Sequence, residues 1–167
     1  KSKAELDEAV DFIGASLSAS AKGIRGSSLT KHTDEFLSLM AEVILSPSFP
    51  ESEWERLRTQ ALSGLLASES SPSDISDALT RTINFTNNHP YGEITTAETL
   101  GSITPEDFQD YHSTYFHPNN AYLVVVGDID SSTAFEKANT YFGKWKRADI
   151  PYKRWDSPDR PRDIRVC

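Results

Sequence analysis

The run Ala121–Asp128 (AYLVVVGD) constrains this chain more than any other stretch, because only there do aromatic and β-branched residues follow one another without a helical gap. Such a run suits a strand buried on both faces. It therefore requires neighbouring strands, and the remaining sequence offers few. The segment ASLSASAKGIRGSSLT carries small, β-tolerant residues around Lys22-Gly23. It reads as two antiparallel strands over about 16–21 and 24–30, joined by a tight turn. A third short strand is expected at about 163–166. These few strands lie far apart in sequence among many helical patterns. The fold class is therefore α+β, a mixed sheet packed against several helices. The strand count is small for such a sheet, so either the fold is helix-heavy or strands precede Lys1.

Elsewhere the apolar residues recur at helical spacing. Leu6, Ala9, Val10 and Ile13 follow a capping box, Ser2 with Glu5, and Gly14 is placed to end that helix. Thr33 or Asp34 can cap a second helix with Phe36, Leu37, Met40, Val43 and Ile44 on one stripe, stopped by Pro47. A longer helix spans about Glu51 to Ser68 with Trp54, Leu57, Ala61, Leu62 and Leu65 on its buried side. Pro72 breaks it, and Ser73 restarts a helix through about Phe85. TNNHPYGEITT reads as loop. Thr104 caps the next helix, with Pro105 in its first turn and Glu106 and Asp107 at the positive end of the dipole. HPNN is a turn. Ser131 or Ser132 begins a last helix through Phe135, Ala138 and Phe142, closed by Gly143. From Lys146 onward, prolines and charges mark a linker. The expected organisation is a domain over 1–147 and a linker over 148–167.

Composition narrows the partners. With 17 Lys and Arg against 25 Asp and Glu, the formal charge is −8, which argues against nucleic acid or an anionic membrane as the main partner. No apolar run approaches the roughly 20 residues that cross a bilayer. Cys167 is the only cysteine, so no internal disulfide is possible. The chain opens on Lys1 and its one methionine is Met40, so it reads as a processed or excised piece.

Most catalytic signatures fail. A zinc helix needs two histidines on one face, as in HExxH or its inverse HxxEH, and neither occurs. His112 and His117 are five apart and straddle a helix end before Pro118. His112 reads as a surface helix residue, His117 as a turn residue and His89 as a lone loop histidine. There is no GxSxG elbow, and KGIRG lacks the P-loop ending. The i, i+4 carboxylate pairs Asp7/Asp11, Glu51/Glu55 and Glu106/Asp110 read as solvated helix faces. Trp54, Trp145 and Trp155 read as packing or interface aromatics. No catalytic residue is assigned.

One long stretch is more specific. NNHPYGEITTAETLGSITPEDFQDYHSTYFHPNNAYLVVVGDID, Asn87 to Asp130, closely resembles the insulinase/pitrilysin-type zinc peptidases (inverzincins) and their mitochondrial processing peptidase relatives. The marking positions are His89, Pro90, Tyr91 and Gly92 in the loop, Pro118, Asn119 and Asn120 in the turn, and Gly127 and Asp128 at the strand end. SPSFPESEWERLR resembles a further helix start of that family, so the resemblance covers nearly the whole chain. It implies an α+β domain whose first strands and HxxEH helix precede Lys1.

In that family the two histidines of HxxEH bind zinc and the glutamate between them activates water. A third ligand, another glutamate, comes from the long helix that here contains Arg58 to Ser68. Ser63 and Gly64 stand where its paired glutamates would be, so the resemblance implies no metal or cofactor bound by this chain, while active members carry zinc. The reading is a non-catalytic domain of a zinc peptidase that packs against a second peptidase-like domain or subunit. It also helps to hold an extended peptide, for which LSASAKGIRGSSLT could offer a sheet edge. Tyr91 and Gly92 shape a loop in this reading, and Asn119-Asn120 supply turn chemistry. Two alternatives stay open: half of an active zinc metalloendopeptidase whose HxxEH lies upstream, and a structural core subunit of a complex. A bacterial periplasm or cell envelope is compatible with the resemblance, but no residue of this chain marks it.

Overall fold

The structure, a computed structural model, describes residues 1–157. Its elements are α1 (Lys3–Phe12), β1 (Ser16–Ser20), β2 (Gly23–Ser27), α2 (Thr33–Leu45), α3 (Glu51–Ser68), α4 (Pro72–Phe85), α5 (Ala97–Gly101), α6 (Pro105–Tyr115) and α7 (Ser131–Phe142). The fold is α+β, as expected, with helices predominating. The chain gathers into two compact units, residues 1–49 with 108–150 and residues 50–107 with 151–157. The expected strand near 163–166 lies outside the described residues.

In the first unit, α1 begins with the expected capping box. The Glu5 N–H donates to Ser2 Oγ (3.3 Å) and the Ser2 N–H to Glu5 Oε2 (2.7 Å), which satisfies two otherwise free ends. Gly14, at φ +60°, closes the helix in the left-handed conformation. The hairpin pairs Ser16 with Ser27 through Ser20 with Gly23, antiparallel. At Gly26 a Cβ would lie 2.1 Å from the Ser16 carbonyl oxygen and 2.8 Å from the Phe36 ring, so glycine lets α2 press against the hairpin. The core gathers there: Val10, Ile13, Phe36, Leu37, Leu39 and Met40 are buried, with Leu17, Ile24 and Phe142 packed against them.

Two caps differ from expectation. Neither Thr33 nor Asp34 caps α2. A 3-10 turn at Thr30–His32 runs straight into it, and Thr33 Oγ1 donates to the Thr30 carbonyl (2.7 Å). The N-cap of α7 is Asp130 rather than a serine. Its carboxylate accepts from the Thr133 N–H (2.9 Å), from Thr133 Oγ1 (2.7 Å) and from Ser132 Oγ. These bonds pull the Asp130 pKa far below the ordinary range, since an ionised cap accepts more strongly.

The sheet also differs. Among the described residues it has two antiparallel strands rather than a mixed set. Residues 121–126 leave the Pro118–Asn120 turn in extended conformation, with Ala121 at φ −135° and ψ 152°, but join no ladder. Nor is the run buried on both faces. Tyr122, Val124 and Val126 are 99%, 78% and 92% exposed, whereas Leu123 and Val125 are 48% and 46%. This alternation is that of a strand with one covered face and no lateral neighbour.

In the second unit, the Asp74 N–H donates to the N-cap Ser71 Oγ (3.4 Å), and Pro72 stands in the first turn of α4. The helix α5 is not among the elements expected from apolar spacing, although its signal is local: Thr96 and Thr99 form a capping box. The expected buried face of α3 is only partly closed. Trp54, Leu62 and Leu65 are half-buried, while Leu57 and Ala61 are exposed. Its described packing partner, α5, has 5 residues against the 18 of α3.

Candidate functional site

Ser63 and Gly64, where the resemblance would place the third ligand's glutamates, lie in the C-terminal half of α3. Ser63 Oγ donates to the Thr59 carbonyl (3.0 Å), the back-bonding a mid-helix serine adopts when it has no other partner. A Cβ built on Gly64 meets nothing within 4 Å. Glu55 and Glu53 sit roughly two to three turns earlier and are engaged along the helix. Arg58 bonds Glu55 (3.0 Å), and Arg56 bonds Glu53 (2.9 Å). Among the described residues no three His, Cys, Asp or Glu side chains gather as a metal site would require. This donor set does not fit zinc, which needs three protein ligands for a catalytic site.

The HPYG loop folds onto the end of α4. The Gly92 N–H donates to the His89 carbonyl (2.9 Å), as does the Glu93 N–H (3.2 Å), and Thr82 Oγ1 donates to the Gly92 carbonyl (3.3 Å). A Cβ on Gly92 would lie 2.0 Å from the Thr86 oxygen, so no other residue fits. Thr86 itself sits at φ +61° and ψ 164°, a region costly for a β-branched residue. His89 accepts the Tyr91 N–H at Nδ1 (3.2 Å). Its ring stacks on Phe85 at 5.3 Å, with Tyr91 at 5.2 Å and Trp155 at 6.2 Å. Pro90 and the exposed Tyr91 form the crest of this turn.

The HPNN turn holds a distant backbone segment. His117 has both ring nitrogens on carbonyl oxygens, Nε2 to Ser113 (2.8 Å) and Nδ1 to Lys146 (3.0 Å). Pro118 opens the turn. Asn119 Nδ2 donates to the Ala148 carbonyl (2.9 Å), and Asn119 Oδ1 accepts from the Ala148 N–H (3.3 Å). Asn120 Nδ2 donates to the Tyr115 carbonyl (3.0 Å), and Trp145 Nε1 to that of Phe116 (3.0 Å). Asn119 thus does more than supply local turn chemistry, because it pairs with backbone 29 residues away. His112 likewise differs from the surface residue expected. It is half-buried, bonded at Nε2 to the Ile44 carbonyl (2.6 Å) and stacked on Phe116 at 4.8 Å. Sequence spacing carries no signal for either contact.

Gly127, at φ +155°, ends the extended run and with Asp128 turns the chain toward Asp130. Among the described residues, none of these marking residues joins a group of three His, Cys, Asp or Glu side chains that could hold a metal.

A family model described as "Peptidase M16 inactive domain" matches residues 102–166. Among curated proteins, "Zinc protease PqqE" of Helicobacter pylori is 32% identical over 81 residues, covering 44% of this chain and 18% of that protein. "Uncharacterized zinc protease YmxG" of Bacillus subtilis is 24% identical over 151 residues, 87% of this chain and 37% of that protein. The chain thus spans well under half the length of these relatives. Among solved structures, a protease from Helicobacter pylori aligns with a TM-score of 0.76 at 26% identity, over 92% of this chain and 40% of that one. A peptidase M16 inactive domain from Pseudomonas fluorescens gives 0.81 at 20% identity, over 95% and 40%. The first half of the periplasmic protease PqqL from Escherichia coli gives 0.62 at 17% identity, over 81% and 30%. The last two likenesses concern the fold alone.

Proposed function

From the premise that this chain is a homologue of the insulinase/pitrilysin-type (M16) zinc peptidases and resembles their inactive domain, we propose that it is the non-catalytic part of a larger peptidase. In this reading residues 1–147 are the peptidase-like domain and 148–167 lead toward a following one. It packs against a second peptidase-like half and helps to hold an extended peptide, while that half or another subunit supplies zinc. The observation that carries the reading is the α3 surface at Ser63 and Gly64. A catalytic helix needs a carboxylate there, and these residues offer a back-bonded hydroxyl and no side chain. His89, Pro90, Tyr91 and Gly92 then act as a shaped loop, and Pro118, Asn119, Asn120, Gly127 and Asp128 as the frame of the extended run. The periplasm or cell envelope is the proposed compartment; PqqL, a fold neighbour, is described as periplasmic.

The test is elemental analysis together with peptide hydrolysis on the full polypeptide that carries these residues. The expected result is no stoichiometric zinc at this domain and no change in any zinc content on replacing His89, His112 or His117. Stoichiometric zinc lost with one of those histidines would overturn the proposal.

A further inference from the structure

The turn that follows α6 holds an imidazole between two carbonyl oxygens. His117 Nε2 lies 2.8 Å from the Ser113 oxygen, and Nδ1 lies 3.0 Å from that of Lys146. Neither oxygen has a backbone donor in its place. A continuing helix would send the His117 N–H to Ser113, but that N–H donates to the Tyr115 carbonyl (3.2 Å). Among the described residues no backbone N–H reaches the Lys146 oxygen. Carbonyl oxygens only accept. A neutral imidazole carries one N–H, so it satisfies one oxygen and sets a ring lone pair against the other. Only the imidazolium donates to both.

We propose that His117 is a protonation-dependent clasp. Its imidazolium ties the end of α6 to residues 146–148, and loss of the proton releases the Lys146 side. Ser113 is only four residues from His117 in the chain and keeps its bond whatever the distant segment does. Lys146, 29 residues away, does not.

The surrounding charges divide by element. The C-terminal carbonyls of α6 are the negative end of its dipole and favour a cation. That helix also carries Glu106, Asp107 and Asp110, with His112 as its one basic residue. Residues 143–150 oppose them with Lys144, Lys146 and Arg147 against Asp149. The bonding partners of His117 are the two carbonyls and none of these side chains. Asn119 holds Ala148 through neutral hydrogen bonds, so residues 146–148 have one hold that ignores pH and one that follows it. A proton bound by the closed clasp stabilises it at low pH, and that contribution is lost as pH rises. The inference does not depend on the domain being non-catalytic, because it rests on two backbone oxygens.

Amide exchange on the full polypeptide tests it, referred to the intrinsic rate at each pH. The comparison is between about pH 5 and about pH 8, the interval in which histidine ordinarily changes charge. Protection of the Ala148 amide is expected to fall about tenfold at the higher pH, the size of one hydrogen bond to a charged group. The hairpin amides of 16–27 are expected to keep theirs. His117→Gln, which has no proton to gain or lose, is expected to abolish the difference at Ala148. Nitrogen-15 spectra of labelled histidine read the clasp in the unsubstituted protein, with two ring N–H groups on His117 at the lower pH and one at the higher. Equal Ala148 protection at both pH values would overturn the proposal. So would a fall shared by the hairpin, a difference that survives in His117→Gln, or a single ring N–H at the lower pH.

Discussion

The hairpin and the 121–126 run invert what side chains alone suggest. SLSAS and GIRGS, poor in apolar residues, form a complete five-pair ladder, whereas YLVVV, with far stronger strand propensity, pairs with nothing described. The hairpin carries its partner two residues away and closes at small entropic cost. The apolar run must find its neighbour at long range. Propensity thus sets the extended conformation, and topology decides whether it becomes a sheet.

The largest expected effect strikes what supports the hairpin. Phe36 is buried against α1 and β2 residues and touches the position of a Gly26 Cβ. Phe36→Ala is expected to lower stability by about 3–5 kcal/mol, read by chemical denaturation of the full polypeptide. A loss of only about 1 kcal/mol or less, the range of a surface change, would mean that the polar strands pair without the core beneath them. Gly26→Val comes next. It drives a side chain into the Ser16 carbonyl and the Phe36 ring, at about 2–3 kcal/mol, and should speed amide exchange across 16–27 while leaving α3 and α4 unchanged. Unaltered hairpin exchange would show that the close approach relaxes without strain.

A third substitution addresses the other member of the comparison. Among the described residues the 121–126 run joins no ladder, so its entry angle depends on the HPNN turn. Asn119→Ala removes both hydrogen bonds to Ala148, at about 1–2 kcal/mol for the pair. The Ala148 amide should exchange faster, while the hairpin amides stay as they were. If the hairpin loosens as well, the two regions are coupled more tightly than their separate backbone bonding indicates.

Local signals were the legible part of this fold. The Ser2/Glu5 box, Gly14, Pro72, Pro105 and Gly143 each mark an end through backbone chemistry within four residues, and each lies at or beside an observed boundary. The misses were of two kinds. Asp130 is not distinguished by sequence from the serines beside it, because any of the three can cap, and only the folded geometry selects the carboxylate that meets Thr133. Burial of AYLVVVGD on both faces was an inference about neighbours, which composition cannot supply. At the candidate site, the loop role of Gly92 was readable from residue type. His112 on the Ile44 carbonyl and Asn119 on Ala148 were not, because they join residues 68 and 29 positions apart.

The smallest expected effect concerns a strap between the helix under the hairpin and the helix after the apolar run. Lys137 of α7 bonds Asp34 of α2 at 2.6 Å, and the Tyr141 hydroxyl donates to the same carboxylate at 3.0 Å. The Lys137 hydrogen bond, then that of Tyr141, holds the Asp34 pKa below its ordinary 3.8. The bond to Asp34 in turn raises Lys137 above its ordinary 10.5. A depressed carboxylate contributes stability above its unfolded pKa and loses it as pH falls through the folded one. A raised lysine contributes below its unfolded pKa and loses it as pH rises through the folded one. The strap therefore acts on a plateau between those limits and fades below 3.8 and above 10.5. Asp34→Asn should flatten both limbs of a stability–pH profile, with its largest difference from the unsubstituted protein near neutrality. Because the pair is exposed, salt should shrink that difference. A difference that instead persists unchanged at pH 2 would show that Asp34 acts through packing, and that α2 and α7 are joined by the core alone.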